Sequence, residues 1–173
     1  MEGRIMTVTL NAAGGSSVPN WTLVASNAPT GVGTYTFSGL AGYSKYRILA
    51  PNLICTVGGA SLQLRLNGDS GANYLFSDSR NNTAALGGGA LPTAVAQLTI
   101  ASIINTAPSG VMFEVDHALL AIPKFISGKA ASQFGDTFDF NGFYTTTSTL
   151  TSITLLLGGN NFSTGTIYLL GAN

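Results

Sequence analysis

The sequence predicts an all-β fold, a single-domain antiparallel β-sandwich of the jelly-roll type. Three observations carry that reading. Apolar residues recur with period two rather than 3.6, the periodic runs are short, and clusters of Gly, Pro, Asn and Ser separate them. No stretch has a convincing helical pattern, and about eight to ten short strands are expected, as in sandwiches and jelly rolls.

The elements follow in chain order. In GTYTFSGL, Tyr35 and Phe37 share a face. In SLQLRLN, Leu62, Leu64 and Leu66 fall opposite Ser61, Gln63, Arg65 and Asn67, as a half-buried strand requires. The segment NGDSGAN then has the turn chemistry to reverse the chain toward Tyr74 and Phe76. QLTIASII places Leu98, Ile100, Ser102 and Ile104 on one side. VMFEVDHALLAI places Val111, Phe113, Val115, His117 and Leu119 opposite Met112, Glu114, Asp116, Ala118 and Leu120. FNGF carries a hairpin signal in Asn141-Gly142, because both residues tolerate the positive φ of a type I′ turn. TSITLLLGG and GTIYLLG close the chain in the same style.

At 173 residues the chain fits one domain, which at this size buries roughly 70% of its unfolded surface. Residues 1–19 read as an N-terminal arm and 20–173 as the sandwich. Met6 offers an alternative start, so Met1 to Ile5 read as an extension. Within the domain, Ser79 to Pro92 has three consecutive glycines and reads as a mobile or partner-ordered loop. The single cysteine, Cys55, excludes an intramolecular disulfide and a Cys-rich zinc site; within ILAPNLICTV it reads as a small buried hydrophobe.

Charge is scarce. Seven Lys+Arg and seven Asp+Glu make 8% of the chain, where a typical soluble domain carries about 25%. A surface of Ser, Thr, Asn and Gly with zero formal net charge has little repulsion to keep copies apart, and suits a member of an assembly. With no Lys/Arg cluster, the electrostatic footprint of nucleic-acid binding is missing. No run approaches the roughly 18 apolar residues of a membrane helix, and the start lacks the apolar core of a secretory signal. Folding in a cytoplasm is expected.

The inventory for catalysis is thin, and no catalytic, metal or cofactor residue is assigned. The one histidine, His117, falls on the apolar face of its run while Glu114 and Asp116 point the other way, so it reads as a core or interface histidine. Glu114 and Asp116 share a face as glycosidase carboxylates would, yet no aromatic-rich groove accompanies them. Asn67, Asp69 and Asn73 offer one carboxylate plus amides where calcium needs six to eight oxygens, so that loop reads as a connection. GLAGYSKY and LGGGALP lack the ending of a phosphate-binding loop. The best candidate partner-binding surface is FGDTFDFNGF: Phe134, Asp136, Phe138, Asp139 and Phe143 suit sugar stacking or a subunit contact, unless the rings are core and the acids merely solvated.

Four pieces in order carry a resemblance: WTLVASNA; TFSGL followed by YSKYRIL; LQLRLNGDSGANY; and LTSITLLLGGNNFSTGTIYLLGAN. This arrangement, from Trp21 to Gly171, resembles β-jelly-roll domains in structural proteins of tailed bacteriophages, found as head-decoration proteins and as terminal domains of tail fibres or appendages. The resemblance implies a symmetric oligomer, expected to be a trimer, on the virion surface. Its partner is then the major capsid protein or another virion protein, and no cofactor is implied. About twenty residues precede Trp21 and no heptad is present, which favours a capsid decoration protein over a fibre. The arm from Thr7 to Pro19 is then expected to extend along a neighbouring surface. The alternative is a tail-fibre receptor-binding module recognising a host glycan or surface protein.

Overall fold

The computed structural model describes residues 19–82, 85–87, 93–104, 107–132 and 137–173. Most of the predicted arm, Phe134, Asp136 and parts of the Ser79 to Pro92 segment lie outside them. Among the described residues there is no helix. The strands are β1 (Thr22–Asn27), β2 (Thr34–Ser38), β3 (Lys45–Cys55), β4 (Gly59–Leu66), β5 (Tyr74–Asn82), β6 (Ala85–Gly87) and β7 (Thr93–Val95). They continue with β8 (Leu98–Ile104), β9 (Ser109–Val115), β10 (Lys124–Ser132), β11 (Thr137–Tyr144), β12 (Ser152–Leu157), β13 (Phe162–Thr164) and β14 (Ile167–Ala172).

The strands pair antiparallel in two sheets. The larger has the order β1-β14-β3-β9-β10-β11-β5-β6, with β13 also on β3 and β7 also on β5; the smaller has the order β2-β12-β4-β8. The period-two pattern explains why the sheets face each other. Leu62, Leu64 and Leu66 of β4, Ile153 and Leu155 of β12, and Leu98 and Ile100 of β8 are buried on one face of the smaller sheet. They meet Ile48, Val111, Phe113, Val115, Ile126, Phe140, Ile167 and Leu169 from the larger sheet in one continuous core. Cys55 is buried within it, and burial pushes its thiol pKa up, as expected of a packing residue. On the other side of the smaller sheet lie Thr34, Thr36 and Ser38, with the Thr36 and Thr154 hydroxyls 3.0 Å apart.

Pro51 occupies a register shift in β3 between Ala50 and Leu53, where its missing N–H breaks no regular ladder. The expected turn at Asn141-Gly142 is not formed. Both residues lie inside β11, paired with Ser77 and Phe76 of β5 and with Ser127 and Ile126 of β10, and neither has a positive φ. Gly142 is there because β5 comes close: a Cβ would stand 2.8 Å from the Leu75 carbonyl oxygen and 3.1 Å from the Phe76 Cβ.

The run from Val111 is also shorter than its pattern predicts. β9 ends at Val115, and His117 takes a left-handed φ of 62° and is exposed rather than core. The turn overrides the alternation, because a left-handed residue cannot continue a strand.

The loop after β4 does reverse the chain, but the strands it joins do not pair: β4 belongs to the smaller sheet and β5 to the larger. Asn67 (φ 55°) and Gly68 (φ 67°) make the corner. The Asn67 side chain accepts from the Thr151 N–H at 2.7 Å and donates to the Thr149 carbonyl at 2.9 Å, tying this corner to the segment before β12. The buried Tyr74 hydroxyl accepts from the Leu66 N–H at 2.9 Å and donates to the Asp69 carbonyl at 3.0 Å; burial raises its pKa. Its ring stacks on Tyr144, with centroids 5.0 Å apart.

Candidate interaction surface

The Asp69 carboxylate is a clasp. One oxygen accepts from the Gly71 N–H at 2.7 Å and the other from the Asn73 side-chain amide at 2.8 Å. The Gly71 bond, then the Asn73 bond, hold its pKa below the ordinary carboxylate value. Among the described residues no group of three or more His, Cys, Asp or Glu could hold a metal ion.

Because the folded-state pKa is lowered, the unfolded chain binds the proton more readily. The contribution of this clasp is therefore complete above about pH 4, the unfolded value, and lost as pH falls through the folded value. Thermal melts of wild type and Asp69→Asn are expected to differ most near neutrality and to converge as the pH falls through the lowered folded-state value. A gap that does not change with pH would contradict the clasp.

The outer face of the larger sheet has a layered order set by register. Across its middle, Arg47 of β3 faces Glu114 of β9, which faces Ser127 of β10, which faces Asn141 of β11. The Arg47 Nε donates to Glu114 Oε1 at 3.0 Å, a second guanidinium nitrogen bonds the same oxygen, and the guanidinium carbon lies 4.2 Å from the Trp21 ring centroid. Lys45 and Asp116 pair at 2.8 Å, and Lys129 and Asp139 at 3.0 Å. The bond to Asp116 raises the Lys45 pKa. Such surface pairs are worth about 0–1 kcal/mol each, so their main effect is to leave the face without net charge.

Apolar groups flank these pairs. At one end Leu49, Pro51, Met112 and Phe138 help to line a groove of about 460 Å³, with Gly110 and Ala131 in its wall and the Lys129–Asp139 pair at its edge. At the other end the turn between β9 and β10 exposes Leu119 (43%), Leu120 (51%) and Ile122 (41%). Near that turn, Phe143 of β11 is 48% exposed and packs against Phe125 of β10, with centroids 5.3 Å apart. Lys124, wholly buried, donates from Nζ to the carbonyls of Leu120, at 2.6 Å, and of Ile122. Burial lowers its pKa.

The structure thus divides the predicted binding segment. Asp139 and Phe143 share the outer face, while Phe138 is buried and Phe140 packs in the core against Phe113. Phe138 therefore offers no exposed ring to a sugar. Sequence reasoning missed the Leu119 to Ile122 turn and the Leu49–Met112 groove. The first had a signal: ALLAIP is apolar without alternation and ends in proline, a poor strand but a good apolar turn.

Fold and surface together define an antiparallel β-sandwich-like protein with a charge-neutral outer face bounded by apolar groups. No family model, no curated protein and no solved structure matches the chain.

Proposed function

We propose that this chain is a non-enzymatic structural protein of a bacteriophage virion, a jelly-roll subunit that decorates the outside of the head as an oligomer and reinforces contacts between capsid subunits. The architecture is supported by strand order. β1, β2, β3, β4, β8, β9, β12 and β14 make two four-stranded layers, β1-β14-β3-β9 against β2-β12-β4-β8, as in a jelly roll; β10, β11 and β5 extend the first layer.

The observation that carries the functional reading is the outer face of the larger sheet. Among the described residues its six charged side chains are spent in three ion pairs, and beside neutral polar groups such as Ser127, Thr137 and Asn141 it offers a partner exposed apolar groups: Leu49 and Met112 at one end, Leu119, Leu120, Ile122 and Phe143 at the other. A surface of that kind gains by burial against protein. Repetition over many copies lets weak individual contacts hold. Purified protein is expected to co-sediment with heads that lack it, and to raise the temperature at which they open. Saturating protein that leaves the heads bare would overturn the reading.

A second reading, a tail-borne receptor-binding module, draws on one observation, the exposed Phe143 ring backed by Phe125, a platform on which a host sugar could stack. It predicts cell binding by the native oligomer that Phe143→Ala abolishes.

A further inference from the structure

We propose that the ammonium of Lys124 holds the turn between β9 and β10 inside out, carbonyls inward and aliphatic side chains outward, so that Leu119, Leu120 and Ile122 stand ready for a partner. Lys124 is then a positioning residue of the contact surface and does not itself touch the partner. That purpose rests on the head-binding reading above; the holding of the turn does not.

The turn has its polarity reversed. A connection that only joined two strands would tuck its aliphatic groups into the core and leave its carbonyls to water, which satisfies them at no cost. Between Ala118 and Lys124 the opposite holds. Leu119, Leu120, Ala121, Ile122 and Pro123 are all exposed, while the carbonyls of Leu120 and Ile122 turn back to the buried Lys124 Nζ, the first at 2.6 Å.

The roots of the turn are fixed independently. The Ala118 N–H donates to the Ser44 carbonyl at 2.8 Å, the Ala118 carbonyl accepts from the Leu150 N–H at 2.8 Å, and the Asp116 N–H donates to the Phe125 carbonyl at 2.9 Å. Within the turn, the Leu120 N–H closes on the His117 carbonyl at 3.1 Å. The ammonium links this tip to the core.

The place that Lys124 occupies calls for an apolar residue. It lies on the inward side of β10 with Ile126 and Ala130, across the ladder from the buried Tyr144. A wholly buried lysine ordinarily has a carboxylate beside it. Among the described residues none answers this one, since Asp116, beside the turn in sequence, is paired with Lys45. Methionine would fill similar space without the desolvation cost, and replacing a buried charge in this way is often neutral or stabilising. Methionine cannot donate to two carbonyls. A group that costs stability, and whose hydrogen bonds go to one exposed apolar turn, is explained by the shape of that turn.

The reversal also defines the partner. Because the Leu120 and Ile122 carbonyls are satisfied from within, a partner that covers the tip strips no water from them and need offer no donor in return. A plain apolar surface on a virion protein fits.

The test compares wild type with Lys124→Met by amide hydrogen exchange, thermal melting and co-sedimentation with heads that lack the protein. The Leu120 amide is expected to be protected in wild type. In the variant it is expected to exchange about 10-fold faster or more while the amides of β4 and β9 keep their rates, because the opening is local. The variant is expected to melt within about 2 °C of wild type or above it, and to bind heads about 10-fold more weakly or worse. Weaker binding at undiminished stability is a result that a merely structural lysine would not give. A Leu120 amide that exchanges freely in wild type or equally in both proteins, a variant that melts well below wild type or does not fold, or one that binds heads as wild type does would each overturn the proposal. Heads left bare by wild type, together with faster Leu120 exchange in the variant, would remove the decoration reading and leave the holding of the turn in place.

Discussion

Gly128→Val is expected to destabilise the fold by roughly 3 kcal/mol or more, lowering the melting temperature by about 6–12 °C in a domain of this size. Gly128 sits mid-strand in β10, between Phe113 of β9 and Phe140 of β11, and the space a side chain would take is already filled. A Cβ there would lie 2.5 Å from the Phe113 Cβ, 2.5 Å from the Phe140 Cζ and 2.6 Å from the Met112 carbonyl oxygen. The two rings, 6.3 Å apart at their centroids, close over the glycine and supply the packing it lacks. Because one of the three obstacles is backbone, rotamer changes do not relieve the clash. A variant that melts within about 2 °C of wild type would show that the strands can spread there, against the packing described.

Leu64→Ala is expected to cost about 3–4 kcal/mol, read from chemical denaturation. Leu64 is fully buried in β4, paired with Leu155 of β12 on one side and Leu98 of β8 on the other. It lies where the smaller sheet meets the larger, so truncation removes apolar burial and leaves a cavity that flanking strands cannot collapse into without losing register. Gln63→Ala, next to it on the outer side of the same strand, is the internal control and should change stability by no more than about 0.5 kcal/mol. Similar losses at both positions would contradict the assignment of inner and outer faces.

Those faces were the most legible part of the sequence. Leu62, Leu64 and Leu66 are buried as their alternation predicts, and so are Val111, Phe113 and Val115 opposite the exposed Met112. A side-chain period of two is a local property, fixed by the strand itself. Pairing is not local. β1 pairs with β14 across most of the chain, and nothing in TLVASN names IYLLGA as its neighbour. The loop at Asn67 was correctly read as a turn, but turn chemistry does not say whether the next strand stays in the same sheet, and here it changes sheets.

The candidate surface was harder to read. In TFDFNGFY the burial alternates without a break, with Phe138, Phe140, Gly142 and Tyr144 inward and Thr137, Asp139, Asn141 and Phe143 outward. The Asn-Gly pair competes with that alternation, and the long pairing of β11 with both neighbours decides the outcome in favour of a strand. Once the strand is continuous, Phe143 stands out as a large ring on the polar side, which a strict period-two count of the segment reveals. The groove had no comparable signal, because Leu49, Pro51 and Met112 come from two strands far apart in sequence and are brought together by the β3–β9 pairing.

The central claim, that the protein works on the outside of a phage head, is tested most directly by gold-labelled antibody on intact virions viewed by electron microscopy. Label spread evenly over the head is the result the account predicts. Label confined to the tail or its tip, or virions that carry none, would contradict it.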